Sequence, residues 1–368
     1  MKSILTCLII LSIVTLISLR IARRAFASVN SAAFHTVSPA GNLFIVTIDG
    51  FRWQEIFNGA DKSLINNIKY THDTGTMKIL YWADSEKERR QKLMPFFWSV
   101  LAQKGQMFGN RHLNNKVNTT NIYHFSYPGY NEIFTGNADL FITSNNKKKN
   151  HNINVLEFLN GKEAFKGKIV AFTSWDVFPY ILNEERSGLM VNSGYENLDV
   201  NAGSDHTALI NKVQSEAIYN KEKLRDDQLT FITATEYLQQ NQPKVVFLGL
   251  GETDDYAHDG RYDLYLQQAH KIDGMVEELW HWIQTTAGYK DNTTLLITTD
   301  HGRGKDKSWT SHGSLIPGSS ETWMAMIGPG LQPLGEVSEG QQLYQKQIAK
   351  MIAELVGEKF EQKIARRM

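Results

Sequence analysis

Three short apolar runs in this chain each end in a carboxylate. Phe44-Ile45-Val46-Thr47-Ile48 runs into Asp49 and Gly50, Val245 to Leu250 runs into Gly251-Glu252-Thr253-Asp254, and Leu295 to Thr299 runs into Asp300, His301 and Gly302. One Asp after a strand is ordinary turn or capping chemistry. Three together, two with histidines attached, point to a metal site at the ends of neighbouring strands. His258 lies four residues after Asp254, so on a helix the two share a face. His312 sits in the polar loop Trp309-Thr310-Ser311-His312-Gly313. His270 and His281 fall inside a long helical stretch and read as packing or surface residues.

The sole cysteine, Cys7, lies in the N-terminal apolar stretch. The chain therefore forms no internal disulfide, and downstream of Cys7 it has no thiol to act as nucleophile or metal ligand. A metal site here must be made of His, Asp and Glu. The hydroxyl that could attack a substrate is Ser126, in Phe125-Ser126-Tyr127-Pro128-Gly129-Tyr130. Ser followed closely by Pro reads as a helix start. Ser126 is then either a helix cap or a nucleophile set at the positive end of a helix.

These residues need elements to bring them together. The sequence predicts strands over Leu43–Ile48, Lys168–Phe172, Val245–Leu250 and Thr294–Thr298, each a near-continuous apolar run suited to burial on both faces. It predicts helices over Pro95–Lys104, Leu229–Gln240, Leu264–Ile283 and Gln342–Val356. That alternation gives an α/β fold: a mostly parallel central sheet with helices on both faces. Ligands of such sheets bind at the carboxyl ends of the strands. Residues 58–92, 137–153 and 184–226 are less regular and read as loop insertions.

At 368 residues, 42% hydrophobic and 21% charged, the chain suits one large globular unit. Lys plus Arg and Asp plus Glu balance at 39 each, which disfavours binding to nucleic-acid duplexes through bulk charge. The basic run Lys147-Lys148-Lys149 reads as a solvated loop. At the N-terminus, Lys2, the apolar run Ile4–Leu19 and Ala25-Phe26-Ala27 have the layout of an export signal or anchor, although Arg20, Arg23 and Arg24 follow the apolar run. The expected organisation is a signal peptide or anchor over 1–27, a linker over 28–41 and a single catalytic domain over 42–368. Export, with possible membrane association through the N-terminal segment, is the expectation.

In their order along the chain, Ile48-Asp49-Gly50-Phe51-Arg52, Ser126-Tyr127-Pro128 with Thr135-Gly136, Glu252 to His258, Thr299-Asp300-His301-Gly302 and Ser311-His312-Gly313 make a set. It resembles the alkaline phosphatase superfamily, in particular its nucleotide pyrophosphatase/phosphodiesterase branch. The resemblance runs from about residue 42 onward. It implies an alkaline-phosphatase-like domain with two metal sites, one of Asp254, His258 and His312 and one of Asp49, Asp300, His301 and the oxygen of Ser126. It also implies that Ser126 is the nucleophile and passes through a phosphoseryl intermediate. An Asn that donates to a phosphoryl oxygen matches Asn145 or Asn146, with the spacing about one residue off. Two divalent cations can clamp the attacking and leaving oxygens of a phosphate ester. The nitrogen and oxygen donors suit zinc, and manganese or cobalt accept the same set.

The match departs from the diesterase branch, whose nucleophile is usually Thr followed by Phe-Pro-Asn-His. A sulfatase would carry Arg where Tyr130 stands, which argues against that activity. The superfamily's monoesterases place Lys and Arg where this chain has Thr173-Ser174-Trp175-Asp176-Val177-Phe178. A phosphodiesterase acting on a small-molecule ester is therefore expected, with Tyr127, Trp175 and Trp309 as an aromatic wall for the second ester group. The alternatives are a phosphomonoesterase, a phosphoryl or headgroup transferase and a non-catalytic extracellular metal-binding domain.

Overall fold

The computed structural model describes residues 39–198, 205–216 and 224–361, so the expected N-terminal signal peptide or anchor over 1–27 and most of the expected linker over 28–41 lie outside the described residues. Among the described residues eleven strands follow in chain order: β1 (Asn42–Ile48), β2 (Gln106–Phe108), β3 (Asn115–Asn118), β4 (Ile169–Thr173), β5 (Met190–Ser193), β6 (Val245–Leu250), β7 (Thr293–Thr298), β8 (Glu321–Thr322), β9 (Met324–Ile327), β10 (Gly335–Glu336) and β11 (Gln341–Tyr344). Five helices matter below: α1 (Ser126–Thr135), α2 (Asp227–Asn241), α3 (Glu252–His258), α4 (Tyr262–Thr285) and α5 (Ile348–Leu355).

The main sheet has eight strands in the order β10-β2-β9-β7-β1-β6-β4-β5. β7, β1, β6, β4 and β5 run parallel, and β9 enters antiparallel to both β7 and β2. β11, β3 and β8 form a small second sheet. Every residue of β1 is buried, so both faces of the sheet centre are covered. The register pairs Ile48 with Leu250 and Thr47 with both Gly249 and Thr298. By that register Asp49 stands level with Gly251 and Asp300, and the carboxylate-bearing strand ends share the sheet's carboxyl edge.

The four predicted strands form within a residue of their expected limits. The helix expected over Gln342–Val356 needs correction. Gln341–Tyr344 is strand β11, paired in parallel with β3, and the helix starts only at Ile348. From there Ile348, Met351, Ile352 and Leu355 keep the three-and-four spacing of a buried helical face, whereas Gln342 to Gln347 carry no such stripe. The stretch over Pro95–Lys104 is helical but contains a π-helical turn at Phe97–Leu101. The supposed loop 184–226 supplies β5 at the sheet edge and a helix over Asp205–Glu216. No helix among the described residues is long and apolar enough to cross a membrane.

Asp273, on α4, accepts the backbone N–H groups of Phe96 (2.7 Å) and Phe97 (3.0 Å) and so anchors the start of that π-helical turn. Burial pushes its carboxyl up to about 7 despite those two donors. The folded chain then holds a proton that an unfolded Asp releases near pH 4, so stability declines as pH rises from about 4 to about 7. The wild type should lose melting temperature relative to Asp273→Asn across that window. A constant difference between the two melting curves from pH 4 to 8 would remove this account.

Candidate metal centre

α1 begins at Ser126 itself, with Phe125 in the capping position. The Ser126 hydroxyl is thus not spent as a cap. It lies 3.4 Å from His301 Nε2 and is buried. Gly136, at φ +70°, ends α1 in the left-handed conformation that glycine adopts without strain. Inside the helix, Gly129 packs against the Asp300 backbone: a Cβ there would stand 2.5 Å from the Asp300 carbonyl oxygen. Gln345 bridges the two segments, its Nε2 donating to the carbonyls of Gly129 (3.2 Å) and Asp300 (2.8 Å). Gly129→Ala should therefore push Ser126 away from the histidine and cut kcat by about a hundredfold, the usual effect of a displacement near 1 Å. An unchanged kcat in a variant that binds metal normally would show that this contact does not set the alignment.

Asp49, Asp300 and His301 form one cluster, with ligand atoms all within 4.8 Å of one another. Each carboxylate has one oxygen tied down. Asp49 Oδ2 accepts from the Tyr130 hydroxyl at 3.1 Å, and Asp300 Oδ1 accepts from the Gly50 N–H at 3.0 Å. The other oxygens, Asp49 Oδ1 and Asp300 Oδ2, are buried and accept no hydrogen bond among the described residues. They stand 3.5 Å and 3.4 Å from His301 Nε2. His301 Nδ1 donates to the Gly302 carbonyl at 3.0 Å, which leaves Nε2 as a bare lone pair. Two buried carboxyl oxygens without hydrogen-bond partners, facing an unprotonated ring nitrogen, make a costly arrangement unless a cation joins them.

The protonation tendencies agree. Burial, Asp300 and Asp254 raise the Asp49 carboxyl well above its usual range. Burial raises Asp300 to about 8. Burial, with His312 nearby, lowers His301 well below its usual value. All three are strained by desolvation in the direction that a bound cation would relieve.

The second cluster joins Asp254, His301 and His312, again with ligand atoms within 4.8 Å of one another. His258 adds to it: its Nε2 lies 3.1 Å from Asp254 Oδ2 and 3.0 Å from His312 Nε2, the four-residue spacing on α3 placing Asp254 and His258 on one face as expected. His312 Nδ1 donates to the His124 carbonyl (3.1 Å), which leaves its Nε2 unprotonated and facing His258 Nε2. Burial lowers His312 to about 4. Asp254 stays well below the usual carboxylate range; burial would raise it, but Arg303 and His258 outweigh that. Thr253 ties the two clusters together by donating its hydroxyl to the Asp49 carbonyl at 2.6 Å.

The seven expected metal-site residues, Asp49, Ser126, Asp254, His258, Asp300, His301 and His312, thus converge on one site. Asn145 and Asn146 are both exposed; Asn145 Oδ1 accepts the N–H of Tyr127, the residue after Ser126, at 2.9 Å, while the Asn146 backbone N–H bonds Ser144. The aromatic wall needs correction. Trp309 is 0% exposed and sits edge-on to Tyr70, Tyr262 and Tyr265 as a core residue. Tyr127 is 3% exposed, and its hydroxyl donates to the Lys148 and Tyr180 carbonyls. Of the three rings, Trp175 alone keeps a half-exposed face, with its edge on Phe178. The sequence reading missed Tyr130, Gln345 and Arg303. Arg303 lies two residues past His301, and a charged side chain directly after the metal-binding triplet was the available signal.

Residues 199–317 match the model of the Metalloenzyme superfamily, a span that holds Asp254, His258, Asp300, His301 and His312. No curated protein matches the chain. Among solved structures, the lipoteichoic acid synthase LtaP from Listeria monocytogenes is similar at 14% identity and TM-score 0.55, over 89% of this chain and 77% of that one. Wild-type alkaline phosphatase PafA is similar at 9% identity and TM-score 0.55, over 87% and 96%. The phosphonate monoester hydrolase of Agrobacterium radiobacter is similar at 12% identity and TM-score 0.51, over 86% and 74%. At these identities the likeness establishes the fold. Residues 199–317 thus resemble the Metalloenzyme superfamily, and the chain shares the fold of these three solved structures.

Proposed function

We propose that this chain hydrolyses phosphate esters, diesters in preference to monoesters, with Ser126 as nucleophile and two divalent cations, zinc by choice of donors. The observation that carries the reading is the pair of orphaned oxygens, Asp49 Oδ1 and Asp300 Oδ2, facing bare His301 Nε2 beside the Ser126 hydroxyl. Asp49, Asp300 and His301 would hold one ion, and Asp254, His258 and His312 the other. When bound, the ions supply positive charge that favours the serine alkoxide and neutralises the phosphoryl oxygens.

The chain's own residues do the rest. Ser126 sits at the N-terminal end of α1, where the helix dipole favours negative charge. Its Oγ attacks phosphorus, the ester P–O bond breaks and an alcohol leaves. Water then hydrolyses the phosphoseryl group and returns the hydroxyl. Because Asn145 Oδ1 is already occupied by the Tyr127 N–H, the Asn145 amide NH₂ is the group turned to donate to a phosphoryl oxygen.

The diester preference rests on charge. Lys147, a cation that reaches the 173–178 segment, is engaged by Asp176 at 2.6 Å. Arg225 is fully buried and spends its guanidinium on the Thr173 carbonyl, Asn192, Gln214 and Thr230. A dianionic monoester would need a cationic clamp that these side chains do not offer, whereas a singly charged diester does not. Zinc-loaded protein should hydrolyse bis(p-nitrophenyl) phosphate with higher kcat/KM than p-nitrophenyl phosphate or p-nitrophenyl sulfate, and chelation should abolish all turnover. A monoester preference would sink the diester assignment, and turnover that survives chelation would sink the metal assignment.

A further inference from the structure

Arg303 is buried to 1% exposure and, beyond lowering the Asp254 carboxyl, has no role in the chemistry above. Its guanidinium nevertheless reaches both halves of the second ligand set. Nε donates to the Trp309 carbonyl at 2.9 Å, and one terminal nitrogen donates to the Thr310 carbonyl at 2.7 Å. The other terminal nitrogen pairs with Asp254 Oδ1. Trp309 and Thr310 belong to the loop that ends in His312, while Asp254 belongs to α3 with His258.

The surrounding backbone is shaped for this contact. Gly50, at φ +60°, lies so close that a Cβ would stand 2.4 Å from Asp254 Oδ1 and 2.9 Å from the Arg303 nitrogen. Gly304 N–H closes the same loop by donating to the Ser311 carbonyl at 3.0 Å, and Arg52 donates to the Gly304 carbonyl at 3.1 Å. A planar guanidinium with donors fixed in several directions can serve three acceptors at once, which a lysine ammonium on its flexible stem does less well.

We propose that Arg303 is the positioning residue of the second metal site: it fastens the His312 loop to α3 and so assembles Asp254, His258 and His312 into a ligand set. This rests on the two-ion reading above. The test is zinc titration of metal-free protein in competition with a chromogenic chelator, for the wild type, Arg303→Met and Arg303→Lys. The wild type should bind two ions. Arg303→Met should keep one tight ion, at Asp49, Asp300 and His301, and bind the second at least about tenfold more weakly, the usual cost of losing an outer partner of a ligand. Arg303→Lys should fall between the two, since it keeps the charge without the fork. Excess zinc should then restore turnover to the variants, which a loss of fold alone would not allow.

A second affinity in Arg303→Met that matches or exceeds the wild type overturns the proposal. If that variant does not fold, Arg303→Lys decides alone: wild-type affinity for the second ion overturns it, and weakened affinity supports it. A wild type that binds fewer than two ions overturns the two-ion reading itself, a separate outcome.

Discussion

Ser126→Ala should retain its ions and its fold while kcat for a phosphodiester falls at least about a thousandfold, the scale of loss when a nucleophile is removed from a preorganised site. The geometry gives the reason. Ser126 is the first residue of α1, it does not cap the helix, and its hydroxyl is buried 3.4 Å from His301 Nε2. Losing the oxygen removes the attacking atom and leaves Asp49, Asp300 and His301 in place. Rapid-quench detection of a phosphorylated protein should find the label in wild type and not in Ser126→Ala. Turnover within about tenfold of wild type would mean that water attacks directly, and the covalent route would fall.

His301→Ala should have an effect at least as large, by a different route. His301 is the residue shared by both clusters: its Nε2 lies within 3.9 Å of carboxylate oxygens of Asp49, Asp254 and Asp300. The ring also stacks on His312 with centroids 3.9 Å apart. Without it, three acidic groups crowd a buried space that lacks their central nitrogen, and neither ion is held firmly. Bound metal should drop below two per chain, and turnover should fall at least about a thousandfold even in excess zinc. A variant with two ions at wild-type affinity would show that His301 lies beside the centre without building it.

The strands that carry the site were legible because each is buried on both faces and so reads as an unbroken apolar run. Their ends were legible because each apolar run stops at a polar, carboxylate-bearing segment; the register sets Ile48 opposite Leu250, so Asp49 and Gly251, three residues before Asp254, leave the sheet together. Spacing alone put Asp254 and His258 on one helical face. What stayed hidden depends on contacts between distant segments. Gln345 matters because its amide spans the Gly129 and Asp300 carbonyls, a role with no local pattern. β11 looked helical because nothing in Gln341–Tyr344 announces its partner β3 more than two hundred residues earlier. Trp175 and Trp309 look alike as aromatics near polar residues; only packing separates a half-exposed ring from one enclosed by three tyrosines. Asn145 and Asn146 are adjacent in a loop without periodicity, and what distinguishes them is a hydrogen bond that residue counting does not show, from the Tyr127 N–H to Asn145.

The most direct test of the metal centre is the anomalous scattering of a crystal of the protein grown with zinc, recorded on both sides of the zinc absorption edge. Two peaks are predicted, one against Asp49, Asp300 and His301 beside Ser126 and one against Asp254, His258 and His312. A single peak, or zinc bound away from these residues while the protein turns over a phosphodiester, would contradict the account.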